Sequence, residues 1–189
     1  MMELLGEAVL FASCAHNGMR RKNDRTPYIL HPLEVATIVG TMTDDQEVLA
    51  AAVLHDTVED AGITIDKIRD KFGDRVARLV LSETENKREE LPPEQTWRIR
   101  KEESLEQLRG AEDIDVIRLW LGDKLSNLRG IFRNWRIHGD AVWQRFNQTD
   151  IGAQAWYYRS VLKLTERLSE TTAWLEFKEL ISRMFGEET

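Results

Sequence analysis

Residues 48–62 constrain the fold most, because an uninterrupted apolar run there leads straight into a cluster of ionisable side chains. Residues 48–54 contain no polar side chain, so they are predicted to form a helix that is buried on nearly every side. The run is followed at once by four ionisable residues, His55, Asp56, Glu59 and Asp60. On a continuous helix, His55 shares a face with Glu59, and Asp56 shares one with Asp60. The apolar helix therefore carries a tight group of charges into surroundings with little water.

The end of this helix is an unfavourable place for carboxylates unless something compensates them. Gly62 suits the left-handed conformation that lies just past a helix end. Three carboxylates then lie at the negative end of the helix dipole, and burying a carboxylate without a partner is costly. A bound metal ion resolves both problems, so the segment is interpreted as part of a metal site. The alternative is a partly solvated acidic helix end beside a core histidine whose hydrogen bonds are satisfied.

Composition limits the classes of protein to which the chain can belong. Its 189 residues, 42% hydrophobic and 31% charged, suffice for one compact domain with a real core. The net charge of −7 argues against a general nucleic-acid binder, since such proteins display broad basic faces. No apolar run approaches the roughly 20 residues of a membrane span. The single cysteine, Cys14, forms no internal disulfide and is predicted to pack on the buried side of a helix, so a cytoplasmic location is expected.

Hydrophobic periodicity predicts an all-α fold, a single compact helical bundle over residues 1–189. Only four prolines occur, and no segment alternates convincingly with the period of a strand. Besides the central helix, capped by Thr43 or Asp44, helices are predicted over residues 2–17, 32–42, 64–73, 74–82, 96–109, 113–135, 150–168 and 171–185. Two charged segments interrupt them, a basic loop over residues 18–27 and a proline-containing loop over residues 83–95.

Two further ionisable residues are embedded in apolar sequence. Asp123 follows Gly122 within a predicted helix, where glycine costs roughly 1 kcal/mol relative to alanine. Such a cost is offset where another group approaches the backbone closely, here beside Asp123. The alternative is a buried ion pair with Lys124, or a plain surface aspartate. His31 precedes a proline in an apolar run, and taken alone it is more typical of a capping or core histidine than of a ligand.

Two histidines and two aspartates form a mixed set of possible metal ligands: His31, His55, Asp56 and Asp123. Such a set suits manganese or iron with positions open for water, and zinc less clearly. A water on such an ion has a lowered pKa and becomes a nucleophile near neutral pH. Glu59 and Asp60 lie one turn further on, where they can accept the proton of that water.

These residues fall in motifs that resemble the HD-domain metal-dependent phosphohydrolases, in particular the hydrolase domain of RelA/SpoT proteins. The opening of that domain is similar to residues 15–22, AHNGMRRK, and to residues 26–36, TPYILHPLEVA. Its central motif is similar to residues 54–60, LHDTVED, and its later motif to residues 122–129, GDKLSNLR. The later motif usually has alanine in place of Gly122.

The resemblance covers about residues 7–170 and implies a helical HD-domain fold with a manganese-dependent activity. The implied reaction removes the 3′-pyrophosphate of the alarmone ppGpp or pppGpp and leaves GDP or GTP plus pyrophosphate. Manganese is the expected cofactor, and another divalent transition metal is the alternative. Nothing in the chain is similar to the synthetase or regulatory regions of the long family members, so the resemblance implies a small, stand-alone hydrolase of the Mesh type.

Matching positions imply a role for individual residues. The implied metal ligands are His31, His55, Asp56 and Asp123, and the residues implied to orient and deprotonate water are Glu59 and Asp60. The residues implied to contact the nucleotide are Arg21 and Lys22 along the guanine base and Asn127 at the sugar. Candidates for the pyrophosphate are Lys87, Arg88, Arg98 and Lys101, with Tyr158 in the pocket wall. The alternatives are a solvated run of basic residues and an aromatic cluster that serves only packing.

Two other functions stay open. A related metal phosphohydrolase can act on another nucleotide, for example NADPH or a deoxynucleotide. A non-catalytic module can sense a nucleotide through an intact pocket, although every ligand and both proton acceptors are present. The expected partner is a small guanosine nucleotide, with neither nucleic acid nor membrane, and the sequence leaves the oligomeric state undetermined.

Overall fold

A computed structural model of the chain describes residues 3–21, 25–88 and 90–187, and within these ranges the regular elements are all helical. The α-helices in these ranges are α1 Leu4–Ala15, α2 Leu30–Val39, α3 Gln46–Leu54, α4 Thr57–Ala61, α5 Ile65–Phe72, α6 Asp74–Leu81, α7 Pro93–Arg109, α8 Ile114–His138, α9 Ile151–Leu164 and α10 Thr172–Phe185. Short 3-10 helices span Gly139–Arg145 and Glu166–Leu168. The predicted all-α class is confirmed. None of the helices in the described ranges is both long and apolar enough to cross a membrane.

Two hydrophobic clusters form the core and meet at α8. One cluster joins α1, α3, α5 and α6, and the other gathers α7, α9 and α10 around the remainder of α8. Leu119 belongs to the first cluster, whereas Trp120, Leu121 and Leu125 belong to the second. Helix α2 packs against both α3 and α8. A polar group midway along α8 therefore lies between two apolar cores.

The apolar run forms α3 and is buried as predicted, but the helix does not continue through the charged residues. His55 Nδ1 lies 2.8 Å from the Ala52 carbonyl oxygen, and Thr57 Oγ1 donates to the Leu54 carbonyl at 2.7 Å. These side chains occupy carbonyls that would otherwise accept from the next helical turn. The prediction of one continuous helix is therefore wrong at His55 and Asp56. The short α4 restarts the helix and ends, as predicted, on Gly62 with φ of 67°.

The N-terminus of α3 also differs from the prediction by one or two residues. Asp45, not Thr43 or Asp44, caps the helix by accepting the Glu47 N–H at 2.9 Å. Thr43 is unavailable as the cap because its Oγ1 accepts the Asp45 N–H at 3.2 Å. Asp45 has the extended backbone of an N-cap residue, so its side chain makes the capping bond.

Cys14 is exposed, so the prediction that it packs on a buried face is wrong. Helix α1 buries Ala8 and Ala12, which lie four residues apart on one face. Cys14 lies two residues beyond Ala12, which is roughly opposite that face on a helix of 3.6 residues per turn.

Gly122 allows α2 and α8 to approach each other closely. The glycine predicted such a close approach to the backbone beside Asp123. A Cβ atom at this position would lie 2.7 Å from Val39 Cγ2 and 3.4 Å from Val35 Cγ1. We expect Gly122→Ala to lower the free energy of unfolding by about 1–3 kcal/mol, because overpacking outweighs the better helix propensity of alanine. Urea denaturation measures the change.

Gly130 provides the matched control on the same helix. A Cβ atom there would meet only Arg133 Nη2, at 3.8 Å. Gly130→Ala is expected to raise the free energy of unfolding by about 0.5–1 kcal/mol, since only the entropy of the unfolded chain changes. Equal stability changes in the two variants would show that the α2–α8 contact does not require glycine.

Candidate metal centre and adjoining pocket

Four side chains from three parts of the chain meet between the two cores. His31 lies in the first turn of α2, His55 and Asp56 lie in the break between α3 and α4, and Asp123 lies within α8. One ligand atom from each of His31, His55 and Asp123 lies within 4.8 Å of the other two. Asp56 Oδ2 lies 3.4 Å from His31 Nε2 and 3.2 Å from His55 Nε2. The structure thus brings together the four residues that the sequence predicts to be ligands.

Hydrogen bonds on the far side of each imidazole ring direct its Nε2 lone pair into this cluster. His55 Nδ1 faces the Ala52 carbonyl, which can only accept, so Nδ1 carries the proton. Ser126 Oγ donates to Glu34 at 2.8 Å and therefore accepts from His31 Nδ1 at 2.9 Å. His55 Nε2 is buried and, among the described residues, makes no hydrogen bond that satisfies it, although Asp56 Oδ2 lies 3.2 Å away. Two nitrogen lone pairs beside two carboxylates make a set of donors that suits a cation.

The two histidines respond differently to these surroundings. Burial lowers the pKa of His31 and outweighs the opposing effect of Asp123 and Asp56. Burial also lowers the pKa of His55, but there Asp56 and Asp123 prevail and hold that pKa well above its usual value. A proton on His55 and a metal ion serve the same purpose, since each supplies positive charge between two buried carboxylates. Metal binding therefore competes with protonation at this site.

Lys124 holds the outer oxygen of Asp123. Its Nζ donates to Asp123 Oδ2, lies 3.4 Å from Glu83 Oε2 and lies 4.5 Å from the centre of the Trp120 ring. Asp123 Oδ1 faces the other way, 3.1 Å from His31 Nε2. Burial raises the pKa of Asp123, but Lys124 and the two histidines together hold it well below its usual range. The ion pair that the sequence offered as an alternative is therefore present, and it leaves one Asp123 oxygen directed at the imidazoles.

Helix α4 places the two predicted proton acceptors, Glu59 and Asp60, at the edge of the cluster. Both line the cavity of about 210 Å³ that the four clustered residues also line. Glu59 Oε2 accepts the Glu85 backbone N–H at 3.2 Å, and Lys87 Nζ lies 3.5 Å from Glu59 Oε1. Asp60 accepts hydrogen bonds from Lys87, at 2.5 Å, and from the hydroxyl of Tyr28. The two carboxylates are thus within the site but differ in their partners.

Two larger cavities adjoin the cluster and contain most of the predicted nucleotide contacts. One, of about 350 Å³, is lined in part by Arg21, Asn127 and Tyr158, and the other, of about 650 Å³, by Arg21 and Lys87. Arg21 Nη2 donates to Asn127 Oδ1 at 2.7 Å, and Asn127 Nδ2 donates to Asp123 Oδ1 at 2.6 Å. A chain of hydrogen bonds therefore connects the basic loop to the cluster.

Two predicted contact residues, Arg88 and Arg98, lie outside the linings of these cavities. Arg88 Nη1 donates to Glu103 Oε2 at 2.8 Å. Arg98 Nε donates to Glu102 at 2.7 Å, and its guanidinium lies 3.5 Å from the centre of the Trp156 ring, outside the linings of these cavities. Lys101, also a candidate, does line the cluster cavity and the cavity of about 350 Å³. The two residues differ because α7 turns one face inward, and Arg98 lies off that face. Lys22 lies outside the described residues.

Several side chains at the site were not predicted from the sequence. Tyr28 lies in the opening motif three residues before His31, and that position was the available signal. Glu83 lies in the segment interpreted as a charged loop, yet it is buried, and its Oε1 has no hydrogen-bond partner among the residues that the structure describes. Burial raises the pKa of Glu83 to about 8, against the opposing charge of Lys124. A charged loop gives no local signal that one of its carboxylates is buried.

A family model described as an HD domain matches residues 8–146, well over half of the chain. The chain belongs to the HD-domain family. Membership implies a divalent metal ion, and the side chains present fit one. In the part of the chain that the structure describes, the buried His55 Nε2 makes no hydrogen bond, and the His31 and His55 rings are held in the tautomers that ligands require.

This HD domain is similar in sequence to two guanosine-3′,5′-bis(diphosphate) 3′-pyrophosphohydrolases. It is 41% identical over 130 residues to the human guanosine-3′,5′-bis(diphosphate) 3′-pyrophosphohydrolase MESH1, a match that covers 67% of this chain and 69% of that protein. It is 38% identical over 130 residues to the guanosine-3′,5′-bis(diphosphate) 3′-pyrophosphohydrolase of Aquifex aeolicus, covering 69% of this chain. The match spans only 18% of the length of that longer relative.

Two solved structures share the fold of this HD domain. The crystal structure of lmo0812 from Listeria monocytogenes is 34% identical, with a TM-score of 0.72 over 83% of this chain and 99% of that one. A metazoan orthologue of SpoT, described as hydrolysing ppGpp and acting in starvation responses, is 26% identical with a TM-score of 0.75. That alignment covers 99% of this chain and 98% of the orthologue, so it includes α9 and α10.

Proposed function

We propose that the chain hydrolyses the 3′-pyrophosphate of ppGpp or pppGpp, releasing pyrophosphate and leaving GDP or GTP. One observation carries the proposal: a buried cluster of two histidines and two aspartates stands beside a carboxylate pair in a domain 41% identical to human MESH1. The likeness to a metazoan orthologue described as hydrolysing ppGpp gives further support. Metal ligands, proton acceptors and a basic pocket are the parts that a metal-dependent phosphohydrolase needs.

The proposed metal ligands are His31, His55, Asp56 and Asp123, and the proposed ion is manganese. A mixed set of imidazoles and carboxylates suits that metal. When bound, such an ion lowers the pKa of a coordinated water and stabilises negative charge on phosphoryl oxygens. The bonds of the imidazole Nδ1 atoms to Ala52 and, through Ser126, to Glu34 orient the ligands, while Lys124 holds Asp123 from behind.

Glu59 and Asp60 are proposed to orient and deprotonate the attacking water. The water attacks the phosphorus bonded to the ribose 3′ oxygen, that P–O bond breaks, and pyrophosphate leaves while the 3′ oxygen gains a proton. Glu59 is suited to accept the proton of the water because the donor recorded near its Oε1 among the described residues, Lys87 Nζ, is 3.5 Å away. Asp60 stands beside it on α4 and lines the same cavity.

The adjoining cavities are proposed to hold the nucleotide. Arg21 lies over the Tyr28 ring at 5.6 Å, and its flat guanidinium is suited to lie along a guanine base. Asn127 is proposed to contact the sugar, and Tyr158 to form part of the pocket wall. Lys87 and Lys101 are proposed to bind the phosphates, because each lines a cavity that meets the cluster. Lys22 is also proposed to lie along the guanine base. Arg88 and Arg98 are left out of the proposed phosphate site, because they lie outside these cavities.

Product analysis tests the proposal directly. The purified protein, loaded with manganese and mixed with ppGpp, is expected to release GDP and pyrophosphate in equal amounts, as measured by ion-exchange chromatography. Treatment with a chelator is expected to stop the reaction, and added manganese to restore it. Metal-loaded, folded protein that releases neither product would refute the proposal.

A panel of nucleotides decides between ppGpp and the other substrates that the sequence leaves open. Equal concentrations of ppGpp, GTP, dGTP and NADPH are compared by kcat/KM under the same conditions. The proposal predicts the highest value for ppGpp, because its two diphosphates match a pocket with several basic side chains. A higher kcat/KM for NADPH or dGTP would instead assign the metal chemistry to that nucleotide.

A further inference from the structure

The hydroxyl of Tyr28 stands between two carboxylates of the site. It donates to Asp56 Oδ2 at 2.8 Å and also to Asp60 Oδ2. Asp56 Oδ2 is the same atom that faces both imidazoles. A phenol has a single proton to donate, so the two carboxylates share it, and the hydroxyl links a proposed metal ligand to a residue proposed to handle the water.

The ring of Tyr28 is held by its neighbours. His16 stacks on it with the ring centres 4.9 Å apart and the planes inclined by 28°. The guanidinium of Arg21 lies 5.6 Å from the ring centre, and the His31 ring meets it edge-on at 6.1 Å. Packing of this kind restricts a side chain to one rotamer. The fold therefore sets the position of the hydroxyl, and the carboxylates align to it.

The two acids on α4 differ in how firmly they are held. Both oxygens of Asp60 accept hydrogen bonds, Oδ2 from Tyr28 and Oδ1 from Lys87 at 2.5 Å. Within residues 3–21, 25–88 and 90–187, the one hydrogen bond to Glu59 Oε2 comes from a backbone N–H, and Glu59 Oε1 has Lys87 Nζ at 3.5 Å. A carboxylate with a strong donor on each oxygen is fixed in place, and both of its oxygens are already engaged by these donors.

We propose that Tyr28 is a positioning residue for the hydrolysis, an inference that rests on the proposed function. Its hydroxyl fixes the position of the Asp60 carboxylate relative to the ligand Asp56. Asp60 then orients the attacking water while Glu59 accepts the proton. The nucleotide loop takes part in this arrangement, since Arg21 packs on the same ring. Tyr28 thus connects the residue proposed to lie along the base with the residues proposed to act on the water.

Tyr28→Phe removes the hydroxyl and keeps the packed ring. We expect kcat for ppGpp to fall about 10- to 100-fold, the range found when partners of metal-site residues are removed, with KM changed less than about threefold. The dissociation constant for manganese, measured by calorimetry, is expected to change by less than about tenfold. A kcat equal to that of the wild type refutes the inference, as does a loss of kcat that excess manganese fully restores.

A double-mutant cycle tests whether Tyr28 acts through Asp60. Asp60→Ala removes the oxygens that accept from Tyr28 and Lys87, and it is expected to keep turnover at least about 10-fold above Glu59→Gln because Glu59 still accepts the proton. Since Asp60→Ala already removes the bond to the phenol, the double variant Tyr28→Phe with Asp60→Ala is expected to be no slower than the slower single variant. Losses that multiply in the double variant, or Asp60→Ala as inactive as Glu59→Gln, refute the inference.

Ser160 supplies the matched control, since its hydroxyl donates to the Trp156 carbonyl within its own helix α9 at 2.7 Å. Ser160→Ala is expected to leave kcat and manganese affinity unchanged. Thermal unfolding of every variant checks that the fold is kept. The wild type separates the two proposals: an inactive wild-type protein refutes the proposed function, whereas an active one with an unaffected Tyr28→Phe variant refutes only the role of Tyr28.

Discussion

Asp123→Ala is expected to abolish metal binding and hydrolysis together, with turnover of ppGpp falling at least about 10³-fold. The substitution removes the oxygen that lies 3.1 Å from His31 Nε2, and with it one of the proposed ligands. It also leaves the buried ammonium of Lys124 without its strongest partner. Removing one partner of a buried ion pair costs about 3–5 kcal/mol, so the variant is also expected to unfold at lower denaturant concentration.

Asp115 provides the control, because it is an equally buried aspartate on the same helix. Its carboxylate accepts hydrogen bonds from Arg75 and Arg118 and takes no part in the cluster. Asp115→Ala is expected to lower stability while keeping metal binding and turnover. Manganese should raise the unfolding temperature of the wild type and of Asp115→Ala but not that of Asp123→Ala, since only a folded state that binds the ion gains stability. A variant at Asp123 that binds manganese normally would remove it from the ligand set.

Glu59→Gln is expected to lower kcat about 10²- to 10⁴-fold while leaving manganese affinity nearly unchanged, because it removes the proton acceptor and no ligand. The amide keeps an oxygen that can accept the Glu85 N–H, so the local structure is preserved. Calorimetry with manganese and steady-state kinetics with ppGpp measure the two effects. Glu106→Gln, on the exposed face of α7, is the control and is expected to behave as the wild type. An undiminished kcat in Glu59→Gln would assign the proton to another group.

The pH dependence of kcat/KM should report the ionisation of Glu59. Burial, with the negative charge of Asp56, raises the pKa of Glu59 above its usual value of 4.5. Because the unprotonated carboxylate is the active form, kcat/KM is expected to fall as the pH drops through this raised pKa, with an acid limb centred above 4.5. A rate profile that stays flat down to pH 4.5 in folded, metal-saturated protein would contradict the assignment.

The parts of this protein that the sequence predicted best are those decided by neighbours along the chain. The buried α3 follows from seven consecutive apolar residues at 48–54, and the stop at Gly62 follows from the ease with which glycine adopts positive φ. Gly122 indicated a close approach because glycine destabilises a helix interior unless a neighbour leaves no room for a side chain. Val39 is that neighbour. Runs of apolar residues and the positions of glycines are local signals, so both could be interpreted without knowledge of the fold.

Two of the wrong predictions depended on contacts that a linear pattern does not contain. The helix was expected to run through His55, but side chains there bond the last carbonyls of α3. Arg98 was a candidate for the pyrophosphate, yet α7 turns it toward Glu102 and Trp156. In both cases the type of residue was compatible with the prediction. The direction in which its side chain points could not be predicted from the residue type.

The amino-acid sequence by itself determined the helical class and the identities of the side chains available for metal and proton chemistry, because hydrophobic period and residue type are properties of short segments. Only the tertiary structure decided which atoms face one another. The tautomer of His31 depends on Ser126, 95 residues away, and the alignment of Asp60 depends on Tyr28, 32 residues away. Such bonds form only when α2, α4 and α8 pack together, since each needs two distant segments in one orientation.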